Sequence, residues 1–235
     1  MMLEEILRSG FEELGLPLDE RALARYRLFA DMLVETNKVM NLTAITEEAD
    51  VARLHFLDSA ALLSLVPFEG KRVIDVGTGA GFPGLALKIA LPELSLVLLD
   101  SLDKRIGFLR ETCRALDFDD VACIHARAEE IPAGCRAAYD IAVSRAVARL
   151  NLLCELCLPY VKKGGLFLAM KSRDHADELS EAKHAIALLG GGVEAEKDYR
   201  IPGTEIVHSV ICIRKIADTP PKYPRRWAQI KKQPL

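Results

Sequence analysis

The sequence predicts an α/β protein in which a seven-stranded, mostly parallel sheet follows a helical N-terminal segment. Three observations lead to this class. Strand and helix patterns alternate from residue 72 onward, which is typical of a parallel sheet with crossover helices. Apolar residues recur at helical spacing across residues 1–65. The last two strands are separated only by the turn Pro202-Gly203-Thr204, so we expect an antiparallel hairpin to close the sheet.

The first 66 residues are predicted to form a helical cap that packs on the main domain. Their apolar positions fit helix faces and include Leu3, Ile6, Leu7, Leu14, Leu23, Tyr26, Leu33 and Val34. Residues 37–43 are polar and predict a loop between helices. Thr46 predicts the N-cap of a further helix towards Pro67, because its hydroxyl can accept a backbone N–H and two acidic residues follow it.

The main domain is predicted to cover residues 67–216, with residues 217–235 as a basic tail. Its strand patterns lie at 72–76, 95–99, 120–124, 139–143, 165–171, 193–200 and 206–214. Its helix patterns lie at about 83–91, 102–116, 149–161 and 174–190. The second helix has the most regular apolar spacing, at Leu102, Ile106, Leu109, Cys113 and Leu116. Ser101 is its predicted N-cap.

Composition limits the class of protein. The 235 residues suffice for one α/β domain with an extension. We expect no signal peptide and no membrane contact, because no apolar stretch approaches the ~18 residues of a membrane span. The six cysteines lie mostly in apolar patterns, which indicates reduced thiols and a cytoplasmic location.

One cysteine pair has the spacing of half a zinc or redox site. Cys154 and Cys157 form a C-x-x-C pattern, but leucines surround them and no second pair at zinc spacing follows. Packing in a buried helix is the favoured interpretation. We therefore predict no metal site.

The charge distribution is uneven although the net charge is only −3. From residue 214 to the C-terminus the chain has one acidic residue, Asp218, against seven basic ones: Arg214, Lys215, Lys222, Arg225, Arg226, Lys231 and Lys232. Tyr223 and Trp227 lie among them. Bases mixed with aromatics fit contact with RNA phosphates and stacking on bases, which makes Arg225 and Arg226 candidate RNA contacts. A merely solubilising tail is the alternative.

The segment with the strongest functional signal is residues 73–84, Val-Ile-Asp-Val-Gly-Thr-Gly-Ala-Gly-Phe-Pro-Gly. A short apolar strand ends there in alternating glycines and leads directly into a helix. Gly77, Gly79 and Gly81 let a ligand approach bare backbone, and the helix N-terminus offers free N–H groups. A crevice at the carboxyl end of a parallel strand is where open α/β sheets bind ligands. We expect a nucleoside-type cofactor.

Two details favour S-adenosylmethionine over a dinucleotide. The segment that starts at Gly79 also fits the dinucleotide pattern G-x-G-x-x-G, which is weak evidence alone. Asp75, however, precedes it in the form D-x-G-x-G-x-G, and its carboxylate can attract the ammonium or sulfonium end of that cofactor. The predicted terminal hairpin is also typical of methyltransferases, whereas a dehydrogenase domain would continue with a helix and a parallel strand. A turn without a ligand is the structural alternative.

The ends of the next strands carry further candidate site residues. Asp100 ends the second strand, where an acid accepts hydrogen bonds from ribose hydroxyls; it can also cap the next helix. Ala128 and Glu129 follow the third strand, where a backbone N–H and a carboxylate can bind the adenine edge. A solvated loop acid is the alternative for Glu129.

The fourth strand ends in Ser144-Arg145-Ala146, the position that faces the transferred methyl. The Asn/Asp-Pro-Pro-aromatic loop of exocyclic amine methylation is not there, nor is the Pro-Cys pair that attacks pyrimidine rings. Both absences indicate an acceptor that is already nucleophilic, such as guanine N7. Arg145 is the candidate catalytic residue, because it can hold a phosphate, the guanine O6 or the methionine carboxylate; a structural arginine is the alternative.

Together these motifs resemble one family, the bacterial small-subunit ribosomal RNA guanine-N7 methyltransferases, also called glucose-inhibited division protein B. The resemblance covers nearly the whole chain. Its motifs are Asn41-Leu42-Thr43, His55-x-x-Asp58-Ser59, residues 75–84, Asp100-Ser101 with Lys104-Arg105, Ala128-Glu129, Ser144-Arg145-Ala146, Lys171, Pro224-Arg225 and Lys231-Lys232-x-Pro234-Leu235.

The resemblance implies a Rossmann-like class I methyltransferase fold and S-adenosylmethionine as cofactor. It implies methylation of one guanine, of the guanine-527 type, in 16S ribosomal RNA near the decoding site, with the RNA or the small subunit as partner. It places cofactor contacts on Gly77, Phe82, Ala128, Glu129 and Arg145. A small-molecule methyltransferase with the same domain is the alternative, and we expect a monomer.

Some positions stay open at this level. Many relatives have Trp-Asn shortly before Asn-Leu-Thr, whereas this chain has Thr36-Asn37. His55 and Asp58, three residues apart on a helix, share a face. They either line the mouth of the active site or form a hydrogen-bonded pair that joins the cap to the sheet. Lys171 is a candidate RNA contact or a surface lysine.

Overall fold

The computed structural model describes residues 2–145 and 147–235, so Ala146 of the Ser-Arg-Ala motif lies outside the described residues. The helices are α1 (Leu3–Glu13), α2 (Glu20–Met40), α3 (Glu48–Asp50), α4 (Asp58–Leu65), α5 (Gly84–Ala90), α6 (Asp103–Ala115), α7 (Leu150–Cys157), α8 (Ala176–Leu188) and α9 (Trp227–Lys232). A π-helical segment (Val51–Leu57) joins α3 to α4, and a 3-10 turn (Leu158–Tyr160) follows α7.

Seven strands form one sheet, as the sequence predicts. They are β1 (Arg72–Val76), β2 (Ser95–Asp100), β3 (Ala122–His125), β4 (Tyr139–Arg145), β5 (Val161–Ser172), β6 (Gly191–Arg200) and β7 (Val207–Lys215). Their order is β3-β2-β1-β4-β5-β7-β6. The first five strands pair in parallel, whereas β7 is antiparallel to both β5 and β6. This order confirms the predicted Rossmann-like class I methyltransferase fold.

The order of the strands places a switch point at β1. The chain leaves β1 towards β2 on one side, and it returns to pair β4 on the other. Helices cover both faces of the sheet, so Val73 to Val76 are buried. Open α/β sheets bind ligands where neighbouring strands diverge in this way. The carboxyl ends of β1, β2 and β4 are therefore the expected position of the site.

The N-terminal helices share one hydrophobic core with one face of the sheet. Phe29 of α2 stacks on Phe82 at a ring-centroid distance of 5.2 Å, and Phe56 lies 5.8 Å from the same ring. Tyr26 is completely buried, and its hydroxyl donates to the Ala86 carbonyl at 2.8 Å. These contacts connect the cap to the helix after β1. The boundary at residue 66 stays a prediction.

Two predicted details of the cap are wrong. Residues 37–40 are helical rather than loop, because α2 continues to Met40 and only Asn41 turns left-handed, at φ 50°. The next helix begins one residue later than predicted. Glu47, not Thr46, occupies its N-cap, without a side-chain hydrogen bond.

The start of α6 also differs from the prediction. Leu102 is its N-cap and makes no side-chain cap, so Ser101 does not have that role. Asp100 accepts the Leu102 N–H through Oδ1 at 2.9 Å, so the acid at the end of β2 holds the chain there.

The cysteines are free thiols, and Cys154 and Cys157 are fully buried in α7, as the core-packing interpretation expects. Residues 2–145 and 147–235 contain no cluster of three or more potential metal ligands. In the same part of the chain no helix has the length and apolarity to cross a bilayer.

Candidate active site

A cleft of about 540 Å³ opens at the carboxyl ends of β1, β2 and β4. All seven residues predicted to bind the cofactor line it: Gly77, Gly79, Phe82, Asp100, Ala128, Glu129 and Arg145. Further lining residues include Leu42, Thr43, His55, Arg105, Val147, Leu156 and Trp227. The cleft is thus built by the strand ends, the cap and the C-terminal tail.

The glycine turn after β1 forms one wall of the cleft. The φ values are 74° at Gly77, 61° at Gly79 and 103° at Gly81. Residues that have a Cβ rarely adopt this left-handed region of backbone conformation. A Cβ on Gly79 would meet no atom within 4 Å, so it would project into the open cleft. The backbone here is bare towards the cleft, which fits a nucleoside cofactor.

Asp75 holds the glycine turn in place through hydrogen bonds on the side away from the cleft. Its Oδ2 accepts hydrogen bonds from Thr78 Oγ1 at 2.7 Å and from the Gly84 N–H at 2.8 Å. The side chain is fully buried, and burial raises its pKa to about 6. Asp75 is not among the residues that line the cleft. Its described contacts shape the glycine turn, in contrast to the predicted direct attraction of the ammonium or sulfonium group.

Asp100 faces the cleft with a carboxylate fixed on both oxygens. Oδ2 accepts the Gly79 N–H at 2.9 Å, while Oδ1 accepts the Leu102 N–H. Arg105 lies 3.4 Å from Oδ2. A carboxylate oxygen can accept more than one hydrogen bond, so the Asp100 carboxylate can still accept from ribose hydroxyls. Asp100 therefore supports the start of the next helix and still presents its carboxylate to the cleft.

The loop after β3 forms the adjacent wall. The Ala128 carbonyl accepts from the Tyr160 hydroxyl at 2.8 Å, which fixes the loop against the turn that follows α7. The Glu129 side chain is only 9 % exposed and lies 3.8 Å from Arg127. It is therefore not the freely solvated loop acid of the alternative interpretation.

Arg145 ends β4 and is held by the cap. Its Nη1 donates to Asp58 Oδ2 at 2.8 Å and to the Leu54 carbonyl at 2.9 Å. Its Nη2 lies 2.9 Å from His55 Nδ1, and the guanidinium lies over the Phe82 ring at 5.2 Å. These contacts use three of its five N–H groups and leave two for a ligand in the cleft.

His55 links Arg145 to the loop that lines the cleft mouth. Burial and the neighbouring charge of Arg145 lower the His55 pKa to about 3, so the ring is neutral. Since Arg145 can only donate, Nδ1 is the acceptor and Nε2 carries the proton. Nε2 then donates to Thr43 Oγ1 at 2.9 Å. Thr43 Oγ1 also accepts the Ile45 N–H at 3.0 Å, which leaves the hydroxyl hydrogen free to donate.

Asn37 fixes the position of Thr43. Its side-chain amide donates to the Thr43 carbonyl at 2.9 Å, and its carbonyl oxygen accepts the Thr43 N–H at 2.9 Å. This two-way contact gives Asn37 a role although the residue before it differs from many relatives of the resembled family. The Asn-Leu-Thr motif is therefore held over the cleft by a residue at the end of α2.

Asp58 joins the cap to the sheet. Besides Arg145, its carboxylate accepts from the Tyr199 hydroxyl at 2.7 Å and from His208 Nδ1 at 2.8 Å. It is fully buried, and contacts with His208 and Arg145 outweigh burial and lower its pKa. His55 and Asp58 do not bond each other; they meet through Arg145. His55 therefore lines the cleft, as the first interpretation expects. The predicted hydrogen-bonded pair is wrong, because Asp58 joins the cap to the sheet without a bond to His55.

Two of the three predicted RNA contacts are occupied within the protein. The Lys171 amine donates to Glu178 at 2.7 Å and to the Ala148 carbonyl at 2.8 Å, and its side chain is 10 % exposed. Arg225 forms an ion pair with buried Glu155 at 2.6 Å. Arg226 differs, because its side chain is exposed. The prediction missed Glu155 because it lies 70 residues from Arg225. It missed Glu178, seven residues from Lys171, because the turn between β5 and α8 brings the two side chains together.

Replacing His55 with glutamine is expected to flatten the acid dependence of stability. Between pH 6.5 and about 3 the unfolded chain binds a proton that the folded chain does not. The free energy of unfolding therefore falls with decreasing pH, by up to ~1.4 kcal/mol per unit from this group. Urea unfolding at pH 7, 6 and 5 measures the slope. His184→Gln, at an exposed position, should keep the wild-type slope, and an unchanged slope in His55→Gln would contradict a buried neutral ring.

Known proteins are similar to this chain in sequence over nearly its full length. A sequence model of the family described as rRNA small subunit methyltransferase G matches residues 22–203. The chain is 45% identical over 230 residues to ribosomal RNA small subunit methyltransferase G of Lachnoclostridium phytofermentans, covering 97% of this chain and 95% of that one. It is 44% identical over 238 residues to the Bacillus subtilis protein of the same name, covering 100% and 99%.

Solved structures are similar in fold. TYW2 of M. jannaschii, determined in complex with AdoMet, has a TM-score of 0.55 and 12% identity, over 68% of this chain and 76% of that chain. TrmN of Thermus thermophilus has a TM-score of 0.53 and 21% identity, over 67% and 48%. At these identities the similarity concerns the fold alone.

Proposed function

This chain belongs to the family described as rRNA small subunit methyltransferase G, and we propose that it methylates N7 of one guanine in 16S ribosomal RNA. The coarser activity, methylation of small-subunit ribosomal RNA with S-adenosylmethionine, follows from membership of the family. The finer proposal concerns the acceptor atom and its position, of the guanine-527 type. We further infer that the enzyme acts in the cytoplasm, where small subunits are present, and as a monomer.

The observation that carries the N7 proposal is the chemistry at the β4 end of the cleft. Arg145 and Thr43 offer N–H and O–H donors there. His55 is neutral, and its one lone-pair nitrogen already accepts from Arg145. Asp58 is buried and accepts from three donors. Among the described residues that line the cleft, none at this end is free to remove a proton.

Such a site suits an acceptor that has no proton to lose. S-adenosylmethionine supplies the methyl group when it is bound. Guanine N7 has a free lone pair at neutral pH, so it would take the methyl group as the bond from that methyl to sulfur breaks, leaving a neutral thioether. This transfer needs no general base, whereas an amine or hydroxyl acceptor also releases a proton. Arg145 and Thr43 are proposed to orient the guanine by donating to its O6 or to a phosphate, since correct placement supplies much of the rate.

The proposed cofactor contacts follow from the walls of the cleft. The turn of Gly77 and Gly79, whose backbone is bare at Gly79, receives the methionyl and ribose parts, and Asp100 accepts from the ribose hydroxyls. The backbone N–H of Ala128 or Glu129 and the Glu129 carboxylate bind the adenine edge. The cleft volume of about 540 Å³ lies within the range of ligand pockets, ~300–1,000 Å³.

The RNA contact proposed for the tail rests on its exposed cations. Arg226, Lys222, Lys231 and Lys232 all have exposed side chains. Phosphate contacts by such groups position RNA without reading its sequence. Arg225 and Lys171 are removed from this proposal, because each is paired with a glutamate inside the protein.

The test is a methyl-transfer assay with mapping of the product. Small subunits from cells that lack the enzyme are incubated with purified protein and tritiated S-adenosylmethionine, and the RNA is then cleaved by borohydride and aniline, which reports N7-methylguanine. A single labelled cleavage site in 16S ribosomal RNA is expected. Label that resists this cleavage would overturn the N7 assignment. No label in RNA, with cofactor binding intact, would favour a small-molecule acceptor.

A further inference from the structure

The C-terminal tail closes one side of the cofactor cleft. Trp227, the first residue of α9, is half-buried and lines the cleft together with Leu156 of α7 and Ala128. The same side chain packs against the hydrophobic core on that face of the sheet. The indole covers the core on one side and faces the cleft on another, so it forms a wall of the site, although the sequence pattern predicts RNA contact by this tail.

An ion pair fixes this segment. Arg225 donates from Nε to Glu155 Oε1 at 2.9 Å and from Nη2 to Oε2 at 2.6 Å, and its backbone N–H donates to Oε1 at 2.8 Å. Glu155 is fully buried and immediately precedes the cleft residue Leu156. Tyr223 and Ile230 are buried on either side of the pair. The tail is therefore attached at three points around Trp227.

The position along the cleft indicates which part of the cofactor Trp227 meets. The Tyr160 hydroxyl ties the turn after α7 to the Ala128 carbonyl, so α7 lies beside the loop after β3. That loop and Asp100 lie on the other side of β1 from Arg145, and they hold the nucleoside in the cofactor placement proposed above, on which this inference rests. Aromatic rings stack on purine faces, and such contacts add to affinity without reading the base.

We propose that Trp227 packs against the adenosine part of S-adenosylmethionine and that the Arg225–Glu155 pair positions it there. The tail is then part of the cofactor site as well as a basic segment. The proposal concerns only cofactor binding, so measurements without RNA test it independently of the methylated atom.

Trp227 is the single tryptophan of the chain, so its fluorescence reports on this site directly. Titration of the full-length protein with S-adenosylhomocysteine is expected to change the emission with a saturable dependence. Calorimetry with S-adenosylmethionine is expected to show about tenfold weaker binding for Trp227→Ala, equal to about 1.4 kcal/mol. Trp227→Phe, which keeps an aromatic ring, should recover most of the affinity.

Separate variants test whether the Arg225–Glu155 pair positions Trp227. Arg225→Ala combined with Glu155→Gln removes both charges, so no buried charge remains unpaired. We expect this pair of changes to weaken binding as Trp227→Ala does and to reduce the emission change. Arg226→Ala is the matched control, because it removes a guanidinium from the next position, which is exposed, and it should leave cofactor affinity unaltered. Far-UV circular dichroism and thermal unfolding establish that each variant is folded.

Two results would overturn the proposal. One is wild-type affinity in folded Trp227→Ala. The other is emission that does not respond to saturating S-adenosylhomocysteine. If Trp227→Ala binds weakly while the doubly substituted variant binds normally, the packing part stands and the positioning role of Arg225 is refuted.

Discussion

Replacing Gly79 with valine is expected to abolish binding of S-adenosylmethionine. Gly79 has a φ of 61°, which a β-branched residue adopts only with strain. Its Cβ would project into the open cleft, so the valine methyl groups would fill the space where the cofactor meets the backbone. We expect a loss of roughly 100-fold or more in affinity, about 2.7 kcal/mol. Calorimetry measures it.

Gly70 provides the matched control for backbone strain. It also has a positive φ, 68°, and a Cβ added there would meet only open space, but it lies in the turn before β1 and outside the cleft. Gly70→Val should therefore lose similar stability and keep cofactor affinity. Wild-type affinity in Gly79→Val would refute the placement of the cofactor against the glycine turn.

Replacing Asp58 with alanine is expected to give the largest loss of stability. The change leaves the Arg145 guanidinium, the Tyr199 hydroxyl and His208 without their shared buried acceptor. Removal of one partner from a buried ionic cluster typically costs about 3–5 kcal/mol. Urea unfolding at pH 7 measures the effect. Methyl transfer should fall as well, because Arg145 loses the contact that holds it at the cleft.

Asp198 offers the control for this substitution. It lies on β6 in the same sheet, has an exposed position and accepts one hydrogen bond from Ser209 Oγ at 2.6 Å. Asp198→Ala leaves only the buried Ser209 hydroxyl without its acceptor, so it should lower the free energy of unfolding by about 1–3 kcal/mol, less than Asp58→Ala. An Asp58→Ala protein as stable as the Asp198→Ala protein would show that Asp58 does not join the cap to the sheet.

The parts of the site that sequence predicts are local in the chain. A strand that runs into glycines fixes its own turn, so Gly77 and Gly79 lie where the pattern places them. Asp100 and Glu129 follow the same logic, because the carboxyl ends of parallel strands meet at one edge of the sheet. The hairpin of β6 and β7 is likewise predictable from a short turn between two strand patterns.

The parts that sequence does not predict depend on contacts between distant residues. Nothing near Arg225 in sequence shows that Glu155 binds it. The Lys171 amine is likewise held by the Ala148 carbonyl, 23 residues away, in addition to Glu178 on the following helix. The same holds for Trp227, whose basic neighbours predict RNA contact while its side chain lines the cleft. Local errors, such as Ser101 and Thr46 as N-caps, are shifts of one residue at a helix start. The observed N-caps, Leu102 and Glu47, make no side-chain hydrogen bond, so cap chemistry alone does not fix these boundaries.

Phe82 contributes both to the wall of the cleft and to the packing of the cap, and this limits how the protein can be divided or recombined. Its ring lines the cleft, yet it also stacks on His55 at 4.3 Å and on Phe29 at 5.2 Å in the cap. The cap is therefore not an interchangeable module. In a hybrid that joins this catalytic domain to the N-terminal segment of another methyltransferase, the Phe82 ring would lose the cap residues that hold it at the cleft. Cap and site are therefore expected to diverge together among relatives.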